Sequence, residues 1–125
     1  MNRTKLLLVD DEEDFVFALA ERLRFRKYDT RAATSGEAAL SEIEKERPDI
    51  VVLDLKMPGM GGMEVLKEIK TRDPSIHVIM LTGSVDSEIG EIAIKAGATY
   101  HIVKPMDIED LVQKLQNIEK QRDLH

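Results

Sequence analysis

The chain has 125 residues, 42% of them hydrophobic and 34% charged, with a formal net charge of −6 and no cysteine. That length and apolar share suit one domain with one ordinary core, and the lack of cysteine excludes a disulfide scaffold, a thiolate zinc site and a cysteine nucleophile. The acidic balance argues against direct nucleic-acid binding, which needs a basic surface, and favours a metal or a cationic partner face.

The N-terminus, Met1-Asn2-Arg3-Thr4-Lys5, leads straight into a strand-like run without the apolar core of a signal peptide. No apolar run is long enough to cross a membrane, so a cytoplasmic protein is the simplest reading. Strand-like and helix-like segments then alternate five times. Lys5 to Val9 reads as a buried strand. From about Asp14 to Arg26, Val16, Leu19, Ala20 and Leu23 recur at a helical period. Asp29 to Ala33 is a more polar strand, which suits a sheet edge. Thr34-Ser35-Gly36-Glu37 matches a capping box, a hydroxyl residue with glutamate three positions on, and the helix it opens should end before Pro48.

Ile50 to Leu53 is a continuous apolar run, as expected of a strand covered on both faces. Gly61-Gly62 precede a helix from about Met63 to Thr71, closed by Asp73-Pro74. Ile76 to Leu81 is the next strand. Ile89, Ile92, Ala93 and Ala96 form a helical stripe with Gly97 as its C-terminal cap. Tyr100 to Val103 is the last strand, and Asp107 caps a helix carrying Ile108, Leu111, Val112, Leu115 and Ile118. Glu119 to His125 is polar and reads as a fraying tail or the start of a linker. This alternation demands right-handed crossovers and a parallel sheet with helices on both faces.

Four strand ends carry polar groups. The first runs into Asp10-Asp11, the third into Asp54, the fourth into Thr82-Gly83-Ser84 and the fifth into Lys104-Pro105. In neighbouring parallel strands these groups meet at the carboxyl edge, where open α/β sheets place their ligands. Each has a plainer reading alone. Glu12, Glu13 and Asp14 suit a helix N-terminus, whose macrodipole is positive. Asp54 could cap a turn, Lys104 could be a surface lysine and Thr82 a helix-entry hydroxyl. Together, three carboxylates form a dense negative cluster that a divalent cation would neutralise. An ammonium and a hydroxyl beside it suit phosphoryl oxygens, and Gly83 would let the backbone approach closely.

These residues resemble the receiver domain of bacterial two-component response regulators, and the likeness covers about Lys5 to Ile118. Its motifs are Leu8-Val9-Asp10-Asp11, Asp54-Leu55-Lys56-Met57-Pro58-Gly59, Thr82-Gly83 and Lys104-Pro105, in order and each after a strand. The resemblance implies a single chemotaxis-regulator-like domain with a flavodoxin-like fold and strand order 2-1-3-4-5. It implies that Asp54 accepts a phosphoryl group from a sensor histidine kinase or phosphotransfer protein. Asp11, Asp54 and the backbone carbonyl of Lys56 would hold Mg2+, with Asp10 acting through water. Lys104, Thr82 and the Gly83 amide would bind phosphoryl oxygens, and Lys56 and Ser84 would flank them.

The resemblance further implies chemistry on the chain itself rather than enzyme turnover, and a switch in which Thr82 draws in an aromatic residue of the last strand. Here that position is His101, not the usual Tyr or Phe. Tyr100 is one residue away and points to the opposite face. His101 reads equally well as a switch residue or as an ordinary half-exposed strand residue. Downstream target, output domain and dimerisation are not legible.

Three other readings compete. A haloacid dehalogenase-type phosphatase wants a second aspartate two residues after the first, where this chain has Lys56. A flavin-binding module wants a hydroxyl- and glycine-rich loop where this chain carries five acids, Asp10 to Asp14. A pseudo-receiver acting only as an interaction module would not need the complete acceptor set.

Overall fold

The computed structural model describes residues 3–83 and 87–123. Five strands and five helices alternate along the chain: β1 (Lys5–Val9), α1 (Glu13–Phe25), β2 (Asp29–Ala33), α2 (Gly36–Lys45), β3 (Ile50–Asp54), α3 (Gly62–Arg72), β4 (His77–Thr82), α4 (Ser87–Lys95), β5 (Tyr100–Val103) and α5 (Ile108–Asp123). The strands form one parallel sheet in the order β2-β1-β3-β4-β5, the flavodoxin-like arrangement expected.

The apolar strands feed two cores because successive side chains point to opposite faces. Leu6, Leu8, Ile50, Val52, Ile79 and Leu81 meet α1 and α5 through Leu19, Leu23, Leu111 and Leu115. Leu7, Val9, Val51, Leu53, Val78 and Met80 meet α2, α3 and α4 through Leu40, Val65, Leu66 and Ala93. β2 lies at an edge, and its outer residues Asp29 and Arg31 are exposed or half-buried, as its polarity requires.

Helix ends follow local chemistry. Gly97 has φ +115°, the Gly97 amide donates to the Ile94 carbonyl and the Ala98 amide to the Ala93 carbonyl, a Schellman closure of α4. Two expectations are corrected. The cap of α2 is Ser35 rather than Thr34: its hydroxyl accepts from the Ala38 amide at 3.1 Å. The helix starts at Gly36, where a Cβ would stand 2.8 Å from Val65 Cγ2, so only glycine fits that first position.

Nor do residues 119 to 123 form a loose tail, for α5 runs through Asp123. The Glu119 carboxylate accepts from the Tyr28 hydroxyl at 3.0 Å and from Thr4 Oγ1, and the Arg122 guanidinium donates to Asp49 at 3.1 Å. Burial and the Glu119 charge both raise the Tyr28 pKa, which keeps the phenol a donor. These partners come from the approaches to β1, β2 and β3, far away in sequence, so helical periodicity alone does not reveal them.

Candidate functional site

The site is built from strand ends. Each ladder carries one step past its strand and so fixes the polar residue there. The Asp10 amide donates to the Ala33 carbonyl (3.2 Å), the Leu55 amide to the Leu81 carbonyl (2.9 Å), and the Lys104 amide to the Thr82 carbonyl (2.7 Å). Asp54 pairs in register with Leu81, and Thr82 with Val103. Asp10, Asp54 and Thr82 are consequently buried, whereas Asp11 is exposed. Behind Asp54, Gly62 closes the loop. Its amide donates to the Leu55 carbonyl at 2.9 Å, and a Cβ there would stand 2.8 Å from Leu55 Cα and run into the Asp54 carbonyl.

The Lys104 ammonium lies 2.8 Å from Asp10 Oδ2, 3.3 Å from Asp54 Oδ1 and 3.6 Å from Glu12 Oε1. The other Asp10 oxygen accepts from the Glu12 amide at 2.9 Å. The Lys104–Pro105 peptide bond is cis. Burial and the charge of Asp10 push the Asp54 carboxyl up to about 6, with Asp11 adding to the rise and Lys104 opposing it. Burial pulls the Lys104 pKa down, but its hydrogen bond to Asp10 and the Asp54 charge outweigh that and raise it, so the lysine stays cationic. One ammonium among three carboxylates leaves the pocket short of positive charge.

The donor set fits a hard divalent cation. Asp10, Asp11 and Asp54 each offer a carboxylate oxygen, and these oxygens lie within 4.8 Å of one another. An all-oxygen site with one open, solvated side suits Mg2+, which keeps several waters and takes one or two carboxylates directly.

Residues 6–116 match the family model of the response regulator receiver domain. This chain belongs to that family. The domain is 39% identical over 111 residues to the sporulation initiation phosphotransferase F of Bacillus subtilis, covering 89% of this chain and 90% of that one. It is 37% identical to the sensory transduction protein RegX3 of Mycobacterium tuberculosis, over 92% of this chain but only half the length of that relative. Among solved structures, a CheY-like receiver domain from Methanospirillum hungatei superposes with a TM-score of 0.91 at 28% identity, covering 99% of this chain and all of that one. Vibrio cholerae chemotaxis protein CheY4 gives 0.87 at 30% identity, over 93% and 98% of the two chains.

The other expected residues of this receiver domain are distributed as follows. The Lys56 side chain is exposed, two residues past Asp54. Gly83 is exposed, and a Cβ there would meet nothing within 4 Å among the described residues. Ser84 lies outside the described residues. Tyr100 and His101 do point to opposite faces. Tyr100 packs on the α1–α5 side, under the Lys114 ammonium at 5.6 Å. His101 packs on α4, where a Cβ on Gly90 would stand 2.7 Å from its Nδ1, and that nitrogen is buried without a hydrogen-bond partner. The space for the ring exists because residue 90 is glycine.

Two contacts at the site were not legible as such. Glu12 reads in sequence as a helix-terminus acid, yet it also faces Lys104. Phe15, whose ring lies 4.8 Å from the Lys104 ammonium, carries no sequence signal beyond being apolar.

Proposed function

We propose that this receiver domain takes a phosphoryl group onto Asp54 from a phosphohistidine of a sensor kinase or phosphotransfer protein. The observation that carries the reading is the convergence of Asp10, Asp11 and Asp54 around the Lys104 ammonium at the carboxyl edge of the sheet. An Asp54 oxygen attacks phosphorus, the phosphorus–nitrogen bond breaks, and the imidazole leaves with the electron pair. Such transfer depends on positioning and charge neutralisation more than on covalent machinery. Lys104 and the Thr82 hydroxyl contact the phosphoryl oxygens, with the Gly83 amide. Asp11, Asp54 and the Lys56 carbonyl would hold Mg2+, with Asp10 through water, and the ion would neutralise charge shared by carboxylate and phosphoryl oxygens.

On this reading residues 1–125 form one receiver domain, working in the cytoplasm on its own aspartate rather than turning over a separate substrate. Thr82 and His101 would relay the state of Asp54 to the α4–β5–α5 side, where a target or output domain reads it. Intact-protein mass after incubation with Mg2+ and acetyl phosphate tests the reading. One phosphoryl adduct is expected in the wild type and none in Asp54→Asn or with EDTA. A wild type that takes up neither phosphoryl nor beryllofluoride would mean a pseudo-receiver that serves only as an interaction module.

A further inference from the structure

The ammonium of Lys104 is held from two sides. Asp10 and Asp54 take two of its directions at 2.8 and 3.3 Å. The ring of Phe15, in the first turn of α1, takes another at 4.8 Å from its centroid. Glu12 also stands 3.6 Å away, but its side chain is 69% exposed against 20% for Lys104, so water screens that pair heavily. The ring is itself half-buried against the α1–α5 core and cannot be displaced freely.

We infer that Phe15 is a positioning residue for the phosphoryl-binding lysine, its ring face holding the Lys104 ammonium beside Asp54. The role rests on Asp54 being the phosphoacceptor. A lysine carries a point charge on a flexible four-carbon stem, and its freedom must be limited if it is to meet a phosphoryl oxygen without delay. An aromatic face attracts the ammonium through its quadrupole and excludes water from that side. It offers no lone pair that would compete with an incoming phosphoryl oxygen for the ammonium's N–H donors. A carboxylate in the same place would be such a competitor, and an aliphatic side chain would pack without attracting the charge.

The test compares wild type, Phe15→Leu and Phe15→Tyr. Phosphoryl uptake from acetyl phosphate is timed, because a small donor needs no protein docking surface. The Lys104 ε-methylene protons are followed by NMR, because a ring above them shifts them upfield. Calorimetric Mg2+ affinity, equal in all three proteins, checks that the acid cluster is intact. Phe15→Leu should slow uptake about two- to fivefold and move the Lys104 protons downfield, while Phe15→Tyr should match the wild type in both. Wild-type uptake by Phe15→Leu, unmoved Lys104 protons, or equal slowing by Phe15→Tyr each overturns the role. A wild type that takes up neither phosphoryl nor beryllofluoride overturns the phosphoacceptor reading itself, and the Lys104 protons then decide the ring contact alone.

Discussion

At Asp54 the environment opposes the ionised carboxylate. The residue is 6% exposed, and burial with the neighbouring Asp10 lifts its carboxyl to about 6. The unfolded value is about 4. Between those values the folded chain binds more protons than the unfolded one, so stability falls as pH rises through that window. Above about 6 the penalty is fully present; below about 4 it is absent. Asp54→Asn removes it. In metal-free buffer at pH 7.5 the variant should be more stable than the wild type by on the order of 2 kcal/mol. Urea titrations should find that gain shrinking towards nothing as pH is lowered to 4. A constant gain across that range would mean that Asp54 is not the strained group. The four strand-end motifs were legible one by one in the sequence. The contest between Asp10, Asp11 and Lys104 over one carboxylate was not, because it depends on distances across three strands.

Among the elements, helix ends carry most of what local sequence can and cannot tell. Gly97 closes α4 as its residue type suggests. α1 closes in the same way, with the Tyr28 amide donating to the Leu23 carbonyl and the Lys27 amide to the Arg24 carbonyl, but the left-handed position is Lys27 at φ +75°. An L-residue with a Cβ is strained there, by roughly 1 kcal/mol. Lys27→Gly should therefore raise the unfolding free energy by about 0.5–1 kcal/mol in urea titrations, with phosphoryl uptake unchanged, since Lys27 lies at the opposite end of α1 from the acidic cluster. A loss of stability would mean that Lys27 makes a contact worth more than the strain. A lysine in this place gives no sequence signal, so the α1 end could be placed only by the break in apolar periodicity. The Glu119 to Asp123 turns of α5 failed as an expectation for the complementary reason: polar residues look solvent-facing until Thr4, Tyr28 and Asp49 arrive from the segments leading into three strands.

For the whole molecule, one sheet joins both cores and the site, so events at the acidic edge should be felt in global stability. A cation that binds only the folded arrangement stabilises it by mass action, about 2.7 kcal/mol at a hundredfold excess over Kd. Mg2+ should raise the Tm of the wild type, EDTA should reverse the rise, and Asp11→Ala should abolish most of it while leaving the metal-free Tm nearly unchanged, because Asp11 is exposed. Calorimetric melts with and without Mg2+ test this, and an Asp11→Ala protein that still gains the full shift would place the ion elsewhere. Among the described residues no helix is long and apolar enough to cross a membrane.

Alternation of short apolar runs with helical stripes dictated the five βα units, and the right-handed rule for parallel crossovers turned them into layers. The residue types at four strand ends pointed to a cation and a phosphoryl group, because the strands of one parallel sheet bring their carboxyl ends to the same edge. Only the tertiary structure decided which groups share a contact. It set the Phe15 ring on Lys104, seated His101 in the space left by Gly90, and bound Glu119 to Thr4 and Tyr28. Each of these joins residues from different segments of the chain. Periodicity reports which face a residue occupies, whereas its partner depends on how close two elements pack.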